Sequence, residues 1–427
     1  MSRFSHGVVI AVLTVIGSGT APGLVSAQAP CPSLPPPAGP VIEVQPSQVA
    51  ELPGIVAGAA TGTTVLLHDG TYDLNGASLH ITTAGLTLRS ASGNRAGVVL
   101  DGAYASGELI SIQASNTVVA DLTLKRAYYH PIHISGPDAP ISGVLIHNVH
   151  IIDPGEQAVK VNPVGSGTVN DGALQCSHIE LTDAGRAHIR NNCYTGGLDA
   201  HAATGWRVSR NRVEGFWCEE GLSEHGIHLW RASADTVVEE NVIVDCARGI
   251  GFGLGSGTDG HTGGIIRNNF VAATNVDLFA SEFGFDAGIA LWGAEGAAVY
   301  HNTVASTQPP FSSIEWRFIS TSVTLANNLT TGVIRDRGGT AVLTTNLENV
   351  PTNLFADVAD GDLHLVDPES GPVDAATPLP AEQCDGDIDR QPREAEPDIG
   401  ADELGWGIFV DGFESGDWLW WTSPTGV

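Results

Sequence analysis

Short apolar runs rich in Val, Ile and Leu recur along the chain, separated by Gly, Asn and Asp. No heptad or other helical spacing accompanies them. One polar residue stands ahead of each run: Asp121 before Leu-Thr-Leu, Asn148 before Val-His-Ile, His178 before Ile-Glu-Leu, then Asn211, Asn241, Asn269, Asn302 and Asn328. These markers recur every 26 to 33 residues. A repeat of that length without a long helix predicts an all-β solenoid whose strands stack in parallel, coil upon coil. Asn at one corner has a physical reason. It tolerates tight-turn dihedrals, and its amide can hydrogen-bond to the next coil. The pattern predicts Asn148, Asn211, Asn241, Asn269 and Asn302 at a single corner. A propeller would need blades of about 40 residues with four strands each, and a sandwich would lack the corner register; both fit worse.

The phrases "ENVIVDCARGIGF", "RNNFVAA" and "HNTVAS" resemble the right-handed parallel β-helix repeat of pectate-lyase-like proteins, over roughly residues 60 to 350. The resemblance implies the fold class, all-β and right-handed parallel β-helix. It implies no single activity, because this fold serves lyases, hydrolases, epimerases and adhesins. Further on, "GDLHLVDPESGPVDAATPL" and "DIDRQPREAEPDIGADE" resemble the closing segment of bacterial secreted β-helix proteins. There Asp387, Asp389, Asp398 and Asp402 are expected in a cap and its turns rather than at a metal. The tail "IFVDGFESGDWLWWTSP" resembles a C-terminal motif of exported bacterial proteins and reads as a sorting or surface element.

The N-terminus carries Arg3, an apolar stretch from Val8 to Ile16 and then Val25-Ser26-Ala27, the signature of a signal peptide cleaved after Ala27. The expected organisation is therefore 1–27 signal peptide, 28–58 Pro-rich linker and cap, 59–350 β-helix, 351–404 closing segment and 405–427 tail. The stretch is too short to span a bilayer and nothing later is longer, so the protein is expected secreted, periplasmic or at the bacterial cell surface. A monomer is expected.

Composition narrows the partners. Net charge is −29, with 48 acidic and 19 basic residues, which makes nucleic acid and anionic membranes poor partners. The acidity serves solubility outside the cell, with calcium binding as the sharper alternative. Six cysteines, none in a CxxC pair, suit disulfides in an exported chain; Cys218 with Cys246 is the favoured pairing. There is no GxSxG elbow, HExxH, P-loop or EF-hand loop.

Candidate chemistry follows from stacking. Twelve residues on from the corner, Asp121 leads to His133, Asn148 to Lys160 and His178 to Arg190. The strand Gly226-Ile-His-Leu-Trp puts His228 in the same slot. Apolar neighbours such as Ile132 and Ile134, or Val159 and Val161, point inward, so the residue between them points out. His133, Lys160, Arg190 and His228 then form a row of basic groups about 14 Å long on an acidic protein, given about 4.8 Å between coils. Such a row suits an anionic oligosaccharide; an exposed face that happens to be basic is the plainer alternative. Trp230 and Trp292 lie on the same outward phase, and Tyr194, Trp217 and His201 on loops nearby, as platforms and contacts for sugar rings. Asp199 and His201 fit a structural hydrogen bond better than an incomplete metal site.

The preferred activity is a polysaccharide lyase acting by β-elimination on a uronic-acid polymer. Arg190 suits the carboxylate clamp, because guanidinium matches a carboxylate bidentately. Lys160, pressed between His133 and Arg190, suits the base, and His228 the alternative base or the acid. A glycoside hydrolase or epimerase, and a non-catalytic carbohydrate-binding adhesin, are the alternatives. No cofactor is called for unless calcium serves the clamp.

Overall fold

The computed structural model describes residues 31–405, so the predicted signal peptide and all but the first residue of the predicted tail lie outside the described residues. The repeat reads out as three long parallel sheets, with each coil contributing a strand to each in turn. One sheet begins at Val41–Val44, which pairs in register with Thr64–Leu67. The second runs over ten strands from Leu79–Ile81 to Ile334–Arg337, and the third over ten from Gly70–Asp73 to Leu329–Thr330. The chain is a right-handed parallel β-helix.

Inside, equivalent positions stack like on like. Ile132, Val159, Leu198, Ile227, Ile250, Ile289 and Ile314 are partners on successive strands and are all fully buried. Each such side chain contributes about 1.5–3 kcal/mol by leaving water. The helix Leu52–Gly58 lays Leu52 and Val56 against the first strand of the second sheet and closes the core at that end. Among the described residues, no helix is long and apolar enough to cross a membrane.

The corner predicted from sequence is a ladder of buried amides. Asn211 Nδ2 donates to Asn241 Oδ1 at 2.9 Å, Asn241 to Asn269 at 2.9 Å, Asn269 to Asn302 at 2.9 Å and Asn302 to Asn328 at 3.0 Å. Each amide also donates to a backbone carbonyl of the preceding coil, as Asn241 does to Val208. Asn148 is at this corner but one residue off the ladder. It has a left-handed backbone with φ +49°, a position filled by Arg210 and Glu240 in later coils; its Nδ2 donates to Asp121 Oδ1 of the preceding coil and its Oδ1 accepts from Arg95. The ladder positions in the early coils are Val149 and Ser177 instead. Asn241→Leu should therefore cost on the order of 3 kcal/mol in urea unfolding, since it strands several buried partners at once. Asn148→Gly should cost little, because glycine accepts positive φ; equal losses from the two variants would contradict the ladder.

Cysteine pairing differs from the expectation. Cys31 bonds to Cys176 and Cys193 to Cys218, while Cys246 and Cys384 are free and buried. Cys246 points into the core, where burial pushes its thiol up to about 12, so it cannot reach Cys218 as an exposed loop cysteine would.

The closing segment packs along the side of the solenoid. It runs back along the third sheet, packing Leu363, Leu365, Ile388 and Ile399 on Phe270, Ala272, Ala305 and Leu329. Its acids bind turns: Asp387 Oδ1 accepts from the amides of Asp389 and Gln391, and Asp402 Oδ2 accepts from that of Leu365. Burial, with Asp402 beside it, raises Asp387 to about 7; burial raises Asp402 to about 6. His364 is raised to about 10: burial opposes this, but hydrogen bonds to Asp362 and Asp389 outweigh it. All three groups hold a proton more tightly folded than unfolded. Their stabilisation is complete below their unfolded values and is lost as pH rises through about 4 to 7 for the acids and 6.5 to 10 for His364. Amide-exchange protection at Leu363 and Leu365, corrected for intrinsic chemistry, should fall from pH 6 to 10. In His364→Gln it should be flatter above pH 7; unchanged wild-type protection would sink this account.

Candidate functional site

The second sheet carries the predicted column on its outer phase. His133 pairs with Lys160, Lys160 with Asp199, Asp199 with His228, and His228 with Gly251. Three of the four predicted residues are therefore in the row, and Arg190 is not. The coil after His178 contains an extra helix, Asp183–Arg186, capped by the Thr182 hydroxyl, and this displaces the twelve-residue count. The strand is Gly196–His201, and Asp199 takes the slot expected for Arg190. Arg190 lies in the preceding loop with its guanidinium 4.0 Å from the Tyr128 ring centre.

Replacing a cation by a carboxylate changes the electrostatics. Lys160 Nζ donates to Asp199 Oδ2 at 2.5 Å and to the Tyr194 hydroxyl at 2.9 Å. Tyr194 in turn donates to Asp199 Oδ2 at 3.2 Å, and Trp230 Nε1 to Oδ1 at 2.7 Å. His201 Nε2 lies 3.3 Å from Asp199 Oδ1 and 3.4 Å from Lys160 Nζ. Lys160 is 4% exposed, Asp199 0% and His201 6%, while Tyr194 and Trp230 are half-buried and form the accessible edge. Burial opposes ionisation of Asp199, but the His201 hydrogen bond and the Lys160 and His228 charges outweigh it and hold the carboxyl well below its usual range. Burial, then the charges of Asp199 and Glu224, push the Tyr194 phenol well above its ordinary value. The neighbour of Lys160 in the row is therefore an acid, not the Arg190 guanidinium expected there.

Lys160 is also no surface lysine. Removing it would leave Asp199 charged, buried and unpaired. The expected cost is about 3–5 kcal/mol.

Toward one end of the row, His133 Nδ1 contacts Glu108, and His130 Nδ1 contacts the Gln157 carbonyl at 3.0 Å. Burial lowers His130 to about 4. Toward the other end, His228 is fully buried. Its Nδ1 is 2.9 Å from Glu224 Oε2 and its Nε2 3.1 Å from the Gly253 carbonyl, so neither nitrogen is open to a substrate. Its ring stacks on Trp230 with centres 5.4 Å apart.

Two predicted platforms are covered. Trp292 has the expected outward phase, but it is 8% exposed, bonded to Glu315 Oε1 at 2.6 Å and packed by Arg248 and Arg317. Trp217 is 4% exposed beneath the Arg186 guanidinium, 3.8 Å from its ring centre. It lines a concavity of about 790 Å³ with Asp183, Asn192 and Glu219, which the Lys160 cluster does not line. The cluster is the candidate site, because its buried polar groups converge whereas that concavity is a loop cleft.

Sequence reasoning passed over Asp199 as a member of the row and Glu224 as the partner of His228. The signal for Asp199 was present: in Gly196-Gly-Leu-Asp-Ala-His, Leu198 and Ala200 are fully buried and Asp199 stands between them. Among the described residues, two groups of three could share an ion, His150 with His178 and Glu180, and Glu224 with His225 and His228. Each offers two imidazoles and one carboxylate. Calcium takes six to eight oxygens, so neither set suits it.

No protein-family model and no curated protein sequence matches the chain. Solved structures do. Pectate lyase Pel9A superposes with a TM-score of 0.59 at 14% identity, covering 86% of this chain and 97% of that one. An alginate lyase from Paenibacillus sp. str. FPU-7 gives 0.51 at 16% identity over 71% of this chain and 99% of its own. A GH136 lacto-N-biosidase from Eubacterium ramulus gives 0.51 at 10% identity, covering 73% and 68%. The chain shares with these three carbohydrate-active proteins the architecture of the parallel β-helix.

Proposed function

We propose that this protein is an exported polysaccharide lyase that cleaves a uronic-acid polymer by β-elimination. The observation that carries the reading is the buried Lys160–Asp199 pair with Tyr194 and His201 converging on it. The two disulfides fit export.

The proton lost in elimination sits on C5, beside the uronate carboxylate, and its acidity is too low until that carboxylate is neutralised. Arg190 is out of position for this, so the clamp passes to the Lys160 ammonium, paired with Asp199. His201, beside Lys160, is the candidate base that takes the C5 proton, through Nδ1, the ring nitrogen without a hydrogen-bond partner. The C4–oxygen bond then breaks as the C4–C5 double bond forms. Tyr194, a phenol held protonated, gives its proton to the departing oxygen. Trp230 offers a ring edge to the sugar, and His133 lies in the same row for the neighbouring residue. His228 acts through Trp230 and Glu224 rather than on substrate.

Incubation with a panel of uronate polymers tests the reading. Absorbance from the unsaturated product supports it. New reducing ends without that absorbance would make the protein a hydrolase. Deuterium entering C5 from heavy water without cleavage would make it an epimerase, and binding alone an adhesin.

A further inference from the structure

We infer that Glu224, His225 and His228 bind a divalent cation of the zinc class at the His228 end of the row. The loop before Ile227–Trp230 delivers Glu224 and His225, and the strand itself delivers His228. Glu224 Oε2 lies 2.9 Å from His228 Nδ1 and 3.8 Å from His225 Nδ1. The three ligand atoms lie within 4.8 Å of one another.

Hydrogen-bond accounting asks for a cation here. His228 Nε2 faces the Gly253 carbonyl, so that nitrogen must carry the hydrogen. In a neutral ring Nδ1 then presents a lone pair to a carboxylate oxygen, and two acceptors would meet at 2.9 Å. A proton between them would satisfy that contact alone. His225 is fully buried, and neither of its nitrogens has a hydrogen-bond partner. A metal at the centre engages all three. A His ligand whose other N–H is held by a backbone carbonyl is the usual arrangement around a metal, and His228 has it.

The donors choose the metal class. Two imidazoles and one carboxylate suit zinc, with bonds of about 2.0–2.2 Å and a fourth position left over. Glycine makes room for the His225 ring: a Cβ at Gly251, the register partner of His228, would lie 2.7–2.8 Å from it. Arg248, a cation near Glu224, turns its Nε to the Ser223 carbonyl at 3.0 Å.

The test uses the whole chain, stripped with a chelator and then given zinc chloride alone. His178→Asn removes the other, half-exposed two-histidine cluster and serves as the background. This variant should retain about one equivalent of zinc through gel filtration, with X-ray absorption reporting two imidazoles. Adding His225→Asn should weaken retention at least about tenfold. No retained zinc in His178→Asn, equal retention after His225→Asn, or absorption without imidazole ligands overturns the site. Should His225→Asn fail to fold, the absorption spectrum of the background variant decides. Binding is read without substrate, so its failure leaves the lyase reading standing, and inactivity of a zinc-loaded protein leaves this site standing.

Discussion

Lys160→Met should abolish elimination while leaving a folded but weakened protein. The ammonium is the cation nearest the proposed site of proton loss, and the groups around it, Asp199, Tyr194, His201 and Trp230, cannot take its place. Removing the charge that stabilises a developing enolate costs typically on the order of 10²–10³ in rate, and losing the placement of Tyr194 adds to that. The same change leaves Asp199 fully buried without its cation, so a loss of about 3–5 kcal/mol should accompany it. Steady-state rates on the polymer identified by screening, read beside urea unfolding, measure both. Near wild-type activity in Lys160→Met would end the clamp assignment. Full stability would mean that the Lys160–Asp199 contact does not form in solution.

Removing the partner carboxylate should be as costly, and removing both should not. Asp199→Leu takes away the acceptor of Trp230 Nε1, the Tyr194 hydroxyl and Lys160 at once. It leaves a buried ammonium, and about 3–5 kcal/mol of stability should go with it. Lys160→Met/Asp199→Leu trades the pair for apolar side chains, an exchange often neutral or stabilising by about 1–4 kcal/mol. The double variant should thus recover most of the lost stability and none of the activity. That split would mean the ion pair is kept for chemistry. A double variant as unstable as the sum of the singles would instead make the pair a structural element of the coil.

The solenoid was legible because its most demanding position is also its most restricted. A buried corner that must donate both to a carbonyl of the previous coil and to the side-chain oxygen of the next has one good occupant, and Asn211, Asn241, Asn269, Asn302 and Asn328 mark it. Asn148 misled by one residue because a left-handed turn also favours asparagine, for a different reason. His133, Lys160 and His228 were legible from strand phase, which alternates strictly. Arg190 was not, because loop length between coils obeys no period, and one short helix carried it off the sheet. The Trp292 phase was right, yet Arg248 and Arg317 cover its ring, and coverage by long side chains of neighbouring coils leaves no pattern in a single sequence. The same holds for the Cys31–Cys176 bond, whose partners stand 145 residues apart.

That bond has a mechanical meaning. Tension that reaches Cys31 passes directly to Cys176. The coils between them carry no load while the bond is oxidised, and about 500 Å of contour length stays withheld from extension. Under shear at a surface the first coils would stay wound and the later ones would give way first. A reducing environment would remove that protection and let the first coils be drawn out like the rest.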